Sequence, residues 1–172
     1  MAGTAHLVRR FAGSLWPAGP RAADEAWAAA QLLPEELALW RRMPRADRRH
    51  AVAVARRVAA ALGERAERPV LAAALLHDVG KIDAALGTYG RVVATLSAKV
   101  AGREFAEAWS ETAGFTRRVG LYLRHAEIGA DRLALAGSDE LTVAWAREHH
   151  LPADEWSVPR DIGDALKAAD DD

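Results

Sequence analysis

The sequence predicts a soluble, all-α protein folded as a single compact helical bundle, and three observations carry that expectation. Hydrophobic residues fill 51% of the 172 positions, and much of that share is alanine, which favours helix and packs closely without specifying a strand. Apolar residues recur at three- and four-residue spacings in segment after segment, with no strand alternation, no repeat and no low-complexity linker. Helix start and stop signals flank these segments, Pro34 and Gly63 among them.

Taken in order, the first thirty or so residues carry two short helical stretches around a break at Pro17 to Pro20, with Trp16 and Trp27 available to dock them. They read as an N-terminal helical extension, residues 1–32, on a main unit of residues 33–172. Pro34 followed by Glu35 and Glu36 opens a helix that carries Leu37, Leu39 and Trp40 and stops near Pro44. Asp47 is the expected cap of the next helix, whose apolar stripe is Ala51, Val54, Ala55, Val58 and Leu62 and which ends at Gly63. Pro69 opens a segment that is apolar on every side until His77 and Asp78, so it should run through the centre of the fold. Gly80, Gly87 and Gly90 punctuate a connection. Val92 to Val100, Phe115 to Leu123, Glu127 to Leu135, Asp139 to His149 and Pro159 to Ala169 then read as helices.

Composition excludes several classes of function. Lys plus Arg total 23 against 24 Asp plus Glu, a net charge of -1, so no general field draws in a nucleic-acid polymer or an anionic membrane. The six tryptophans are not interleaved with a basic patch and read as core fillers rather than base-stacking platforms. Without cysteine there is no thiolate nucleophile and no disulfide framework, which fits a cytoplasmic protein, and any metal must be held by His and carboxylates. Arg9 and Arg10 run into Ser14, Pro17 and Pro20 rather than an apolar segment, against a secretion signal. The apolar run from Val70 to Leu76 falls far short of the ~20 residues that cross a bilayer.

Chemistry concentrates on a few donors attached to apolar stripes. His77 and Asp78 end the all-apolar helix, where an unpaired carboxylate costs several kcal/mol. No Lys or Arg lies between Val70 and Gly80, so a divalent cation is the economical partner. His50 borders the Val54 and Val58 face; His149 continues Leu141 and Trp145 at intervals of four; Asp170 follows Ile162 and Leu166. Each should point inwards, whereas His150, rotated by about 100° from His149, is the weaker inward candidate and its rival as a ligand. His6 has no donor partner nearby, and Asp171 and Asp172 read as a frayed acidic end.

In this order, DRRH ending at His50, LLHDVGK from Leu75 to Lys81 and LKAAD ending at Asp170, the residues resemble the HD-domain metal-dependent phosphohydrolases. In that superfamily a His, a His-Asp pair and a distant Asp bind metal in a helical fold. HDVG corresponds to its HD-x-G form. RHAEIGADRL and WAREHH look like the segments that supply two further ligands in relatives with a two-metal site, here His125 and His149. The resemblance runs from about Leu33 to Asp170. Leu151 after the paired histidines, and the lack of a Gly-Tyr-Pro tripeptide, depart from the cyclic-dinucleotide phosphodiesterase branch.

The resemblance implies an HD-type helical domain whose ligands are His50, His77, Asp78, His125, His149 and Asp170. They would hold two divalent cations about 3.5 to 4 Å apart with Asp78 between them and a metal-activated water as nucleophile. Mixed His and carboxylate donors favour manganese or iron, with zinc, cobalt or nickel as alternatives. Lys81 matches a family position that contacts substrate phosphate; its bland alternative is a solvated helix-end charge. The implied activity is hydrolysis of a small phosphoester, a nucleotide first, by a phosphomonoesterase or phosphodiesterase, with catalytic roles for Asp78 and Lys81. Two alternatives stand beside it: a di-iron oxygenase of the same superfamily, and a regulatory module that binds metal or nucleotide without turnover.

Overall fold

The computed structural model describes residues 19–87, 90–94 and 105–171. The described residues form ten α-helices with no strand: α1 (Ala22–Ala30), α2 (Pro34–Arg42), α3 (Arg45–Leu62), α4 (Arg68–Leu76), α5 (Lys81–Ala84), α6 (Ala106–Ser110), α7 (Gly114–Leu123), α8 (His125–Leu135), α9 (Glu140–Glu148) and α10 (Arg160–Asp171). Residues 90–94 are helical as well, and 3₁₀ turns occupy Gly63–Arg65 and Ala153–Glu155.

The apolar surround of α4 explains the layering. Every residue from Val70 to Leu76 is buried, so this helix needs neighbours on all sides. It receives α3 on one flank and α9 on another, while α10 packs outside α3 and α8 outside α9. Trp40, Val54, Leu75, Leu133, Trp145 and Leu166 meet in one core; fully burying each large side chain contributes roughly 1.5–3 kcal/mol. A smaller cluster of Ala84, Leu86, Ala94 and Val119 lies where α5 meets α7.

Local chemistry sets the helix ends. Pro34 begins α2, and the Glu36 carboxylate reaches back to the Leu33 N–H at 2.8 Å, closing the first turn. Gly63 ends α3 at φ 57°, the left-handed region that glycine enters without a Cβ clash. Asp139 caps α9 by accepting the Leu141 N–H. Asp47 does not cap α3, contrary to expectation: the helix already begins at Arg45 after Pro44. The Asp47 carboxylate accepts both arms of the Arg91 guanidinium at 2.6 and 2.7 Å, a bidentate pair stronger than a backbone cap.

The break at Pro17 to Pro20 and Trp16 lie mostly or wholly outside the described residues, as does the second half of the helix expected over Val92 to Val100. Trp27 on α1 is partly buried against the core, and Arg56 of α3 stacks 3.7 Å from its ring. No described helix is long and apolar enough to cross a membrane.

Candidate metal centre

The sequence-predicted donors arrive from five parts of the chain. His50 comes from α3, His77 from the end of α4, Asp78 from the turn that follows, His125 from the first residue of α8, His149 from the end of α9 and Asp170 from the last turn of α10. Leu166 and Asp170, four residues apart, share the buried face of α10. Trp145 and His149 share the inner face of α9 in the same way.

Glycine brings two of these segments together. A Cβ on Gly80 would stand 2.0 Å from the His125 carbonyl oxygen and 2.7 Å from the Gly129 N–H nitrogen. The turn carrying Asp78 therefore rests directly on the backbone of α8, an approach that only glycine permits. Asp78 and His125 face each other as a result, with Oδ1 and Nε2 3.3 Å apart.

Three imidazoles are held in one tautomer by the carbonyl three residues earlier. His77 Nδ1 donates to Ala74 at 3.0 Å, His125 Nδ1 to Tyr122 at 2.6 Å and His149 Nδ1 to Ala146 at 2.9 Å. Carbonyls only accept, so each Nδ1 carries the hydrogen, and in the neutral ring each Nε2 presents a lone pair. Those lone pairs face carboxylate oxygens. His77 Nε2 lies 3.5 Å from Asp78 Oδ2 and 3.6 Å from Asp170 Oδ1, and His149 Nε2 lies 3.8 Å from Asp78 Oδ1. Neither His77 Nε2 nor His149 Nε2 has a hydrogen-bond partner among the described residues, and both are buried.

Burial fixes the charge states. It pushes the His125 imidazole below its ordinary value despite the Asp78 carboxylate. The His149 imidazole is pushed well below, by burial first and then by neighbouring His77 and His150. For Asp78 burial acts upwards, but the Lys81 ammonium and the imidazoles outweigh it and hold the carboxyl well below the usual range. His125 and His149 thus favour the neutral imidazole beside an ionised Asp78 carboxylate.

That arrangement fits divalent cations. Facing lone pairs repel, and a buried unpaired acceptor costs about 1–3 kcal/mol; a cation between them satisfies both sides with the N and O donors that such ions take. Among the described residues two groups have all their ligating atoms within 4.8 Å of one another: His50, His77 and Asp170, and His125, His149 and His150. Asp78 lies between the groups, one oxygen towards each.

Two sequence expectations need correction here. The partner of Asp78 is Lys81, whose Nζ donates to Oδ2 at 2.5 Å; the charge missing between Val70 and Gly80 is supplied one residue further on, by the first residue of α5. A metal ion is therefore not the sole answer to that buried acid, and the case for one rests on the lone pairs of the histidines. Lys81 is itself buried, not a solvated helix-end charge. His150 is exposed where His149 is buried, as the weaker inward candidate should be, yet its Nε2 approaches His125 Nε2 at 3.1 Å and both residues belong to one group of donors.

Other neighbours gave little signal in the sequence. Tyr122 supplies the carbonyl that orients His125, and its ring lies 5.8 Å from Lys81 Nζ; only its position three residues before a ligand-type His marks it. Asp47 precedes His50 by the same interval and pairs with Arg91 across 44 residues, a pairing that no local pattern encodes. His50 donates through Nε2 to Asp170 Oδ1 at 2.8 Å, joining α3 to α10. Compared with protein-family models, with curated proteins and with solved structures, the chain matches none.

Proposed function

We propose that the chain is a metal-dependent phosphohydrolase of the HD-domain type, acting on a small phosphoester with a nucleotide as the favoured substrate. One observation carries the reading: the six residues singled out by motif order, scattered from position 50 to 170, converge on shared carboxylates, the Nε2 lone pairs of His77, His125 and His149 facing them and His50 hydrogen-bonded to Asp170. On this reading His50, His77 and Asp170 hold one divalent cation and His125 and His149 the other, with Asp78 serving both.

Divalent cations bound there supply positive charge against phosphoryl oxygens and lower the pKa of water, the two needs of phosphoester hydrolysis. The chain's residues supply the rest. The carbonyls of Ala74, Tyr122 and Ala146 keep each Nε2 unprotonated and aimed. Lys81, buried and fixed beside Asp78, places a compact ammonium at the edge of the centre, where it attracts a phosphate oxygen or steadies charge on a leaving oxygen. Burial of His77, Asp78, Lys81, His125 and His149 strengthens these charges.

Metal analysis of protein purified without chelator, followed by a phosphoester panel with added manganese, tests the proposal. Phosphate release is expected from wild type, and His77→Ala and Asp78→Ala should lose metal content and activity together, activity by about a hundredfold or more. Full metal content in both variants would remove the assignment. Oxygen uptake with iron bound and no phosphate released would replace it with an oxygenase.

A further inference from the structure

We propose that the two sides of this centre fill in a fixed order, the His125 and His149 side first and the His50, His77 and Asp170 side second, with Lys81 gating the second. This rests on the metal-centre reading and adds to it an order and a gate.

The asymmetry lies in Asp78. Its Oδ1 faces His125 Nε2 at 3.3 Å and His149 Nε2 at 3.8 Å, and its Oδ2 faces His77 Nε2 at 3.5 Å. The Lys81 ammonium sits on Oδ2, at 2.5 Å. An ammonium and a divalent cation seek the same lone pairs and repel each other strongly where both are buried. A cation on the His77 side must therefore displace Lys81 from that oxygen.

A second bond blocks the same side. His50 Nε2 donates to Asp170 Oδ1 at 2.8 Å, so His50 cannot offer that nitrogen to a cation until the bond opens. On the opposite side His149 Nε2, like His77 Nε2, has no hydrogen-bond partner among the described residues. His125 Nε2 meets Asp78 Oδ1 and His150 Nε2 there, the latter at 3.1 Å. Entry on that side exchanges a neutral imidazole contact for metal ligation. Entry on the other breaks two hydrogen bonds to carboxylates, and hydrogen bonds to ionised groups are roughly twice as strong as neutral ones.

Calorimetric titration of manganese into the chelator-stripped full chain tests the order, with cobalt absorption as a second readout. Wild type should bind in two separated steps. Lys81→Met should tighten the weaker step by about tenfold or more while moving the tighter step less than about twofold. Lys81→Arg, which keeps the charge, should keep the steps apart, and His149→Ala should remove the tighter step. Should Lys81→Met not fold, Lys81→Gln carries the same expectation, since it removes the charge but leaves Asp78 a donor. A weaker step unchanged or weakened by loss of the ammonium overturns the gate; two indistinguishable steps in wild type overturn the order. Ordered loading without phosphate release supports this inference and overturns the hydrolase reading.

Discussion

At the level of single residues, the chemistry depends on how burial sets protonation. His125 and His149 are held below their ordinary value of 6.5, His149 the more strongly. A base whose folded pKa is depressed binds fewer protons folded than unfolded. Its contribution to stability is therefore complete above 6.5 and drains away as pH falls through the folded value. Asp78, also depressed, follows the same sign in a lower window that opens below 3.8. Metal-free protein should lose thermal stability between pH 7 and pH 5, before any carboxylate of ordinary pKa titrates. His149→Gln, which cannot take the proton, should show a shallower loss over that interval. Midpoints of thermal unfolding across the pH series measure it, and equal slopes for the two proteins would place the acid sensitivity elsewhere.

The elements show what the sequence could and could not reveal, and Gly80 is the sharpest case. A Cβ there would meet backbone of α8 on two sides, at 2.0 and 2.7 Å, whereas one on Gly87 would meet nothing within 4 Å. Backbone cannot swing aside, so Gly80→Ala should cost about 3 kcal/mol, the upper end of overpacking, while Gly87→Ala should stay within about 0.5 kcal/mol of wild type. Denaturant unfolding of both variants decides this; a neutral Gly80→Ala would mean that the turn and α8 are further apart than described. Helices with a long apolar period, α3, α4, α9 and α10, were legible because burying a stripe needs only local spacing. The donors His50, His77, Asp78, His149 and Asp170 were legible for the same reason, each prolonging a stripe. Lys81 as partner of Asp78, Arg91 as partner of Asp47 and His150 beside His125 were not, because each pairing crosses between elements or sits in a short turn, where no helical period signals it. Ala106–Ser110, one short turn of helix, escaped for want of any cap or stripe.

Across the whole molecule, the centre ties together segments that the chain itself leaves far apart. His50 and Asp170 are separated by 120 residues yet share a hydrogen bond, and Arg57 of α3 donates to the Ala169 carbonyl one residue earlier. Apolar packing of Ile162, Leu166 and Ala169 in the core holds α10 there as well. A cation shared by His50, His77 and Asp170 would join α10, α3 and α4 at one point, and a ligand that binds only the folded chain stabilises it by mass action. At a hundred times its dissociation constant that amounts to about 2.7 kcal/mol, or roughly 5–11 °C in melting temperature for a chain of this size. Asp170→Asn keeps an acceptor for His50 and leaves the apolar face of α10 intact, so its metal-free melting point should stay within about 3 °C of wild type. The metal-dependent rise should nonetheless fall by half or more, because an amide oxygen is a poorer ligand than a carboxylate for manganese or iron. Thermal scans with chelator and with saturating manganese, run on both proteins, separate the two contributions. An undiminished rise in Asp170→Asn would show that the Asp170 carboxylate stands outside the metal site.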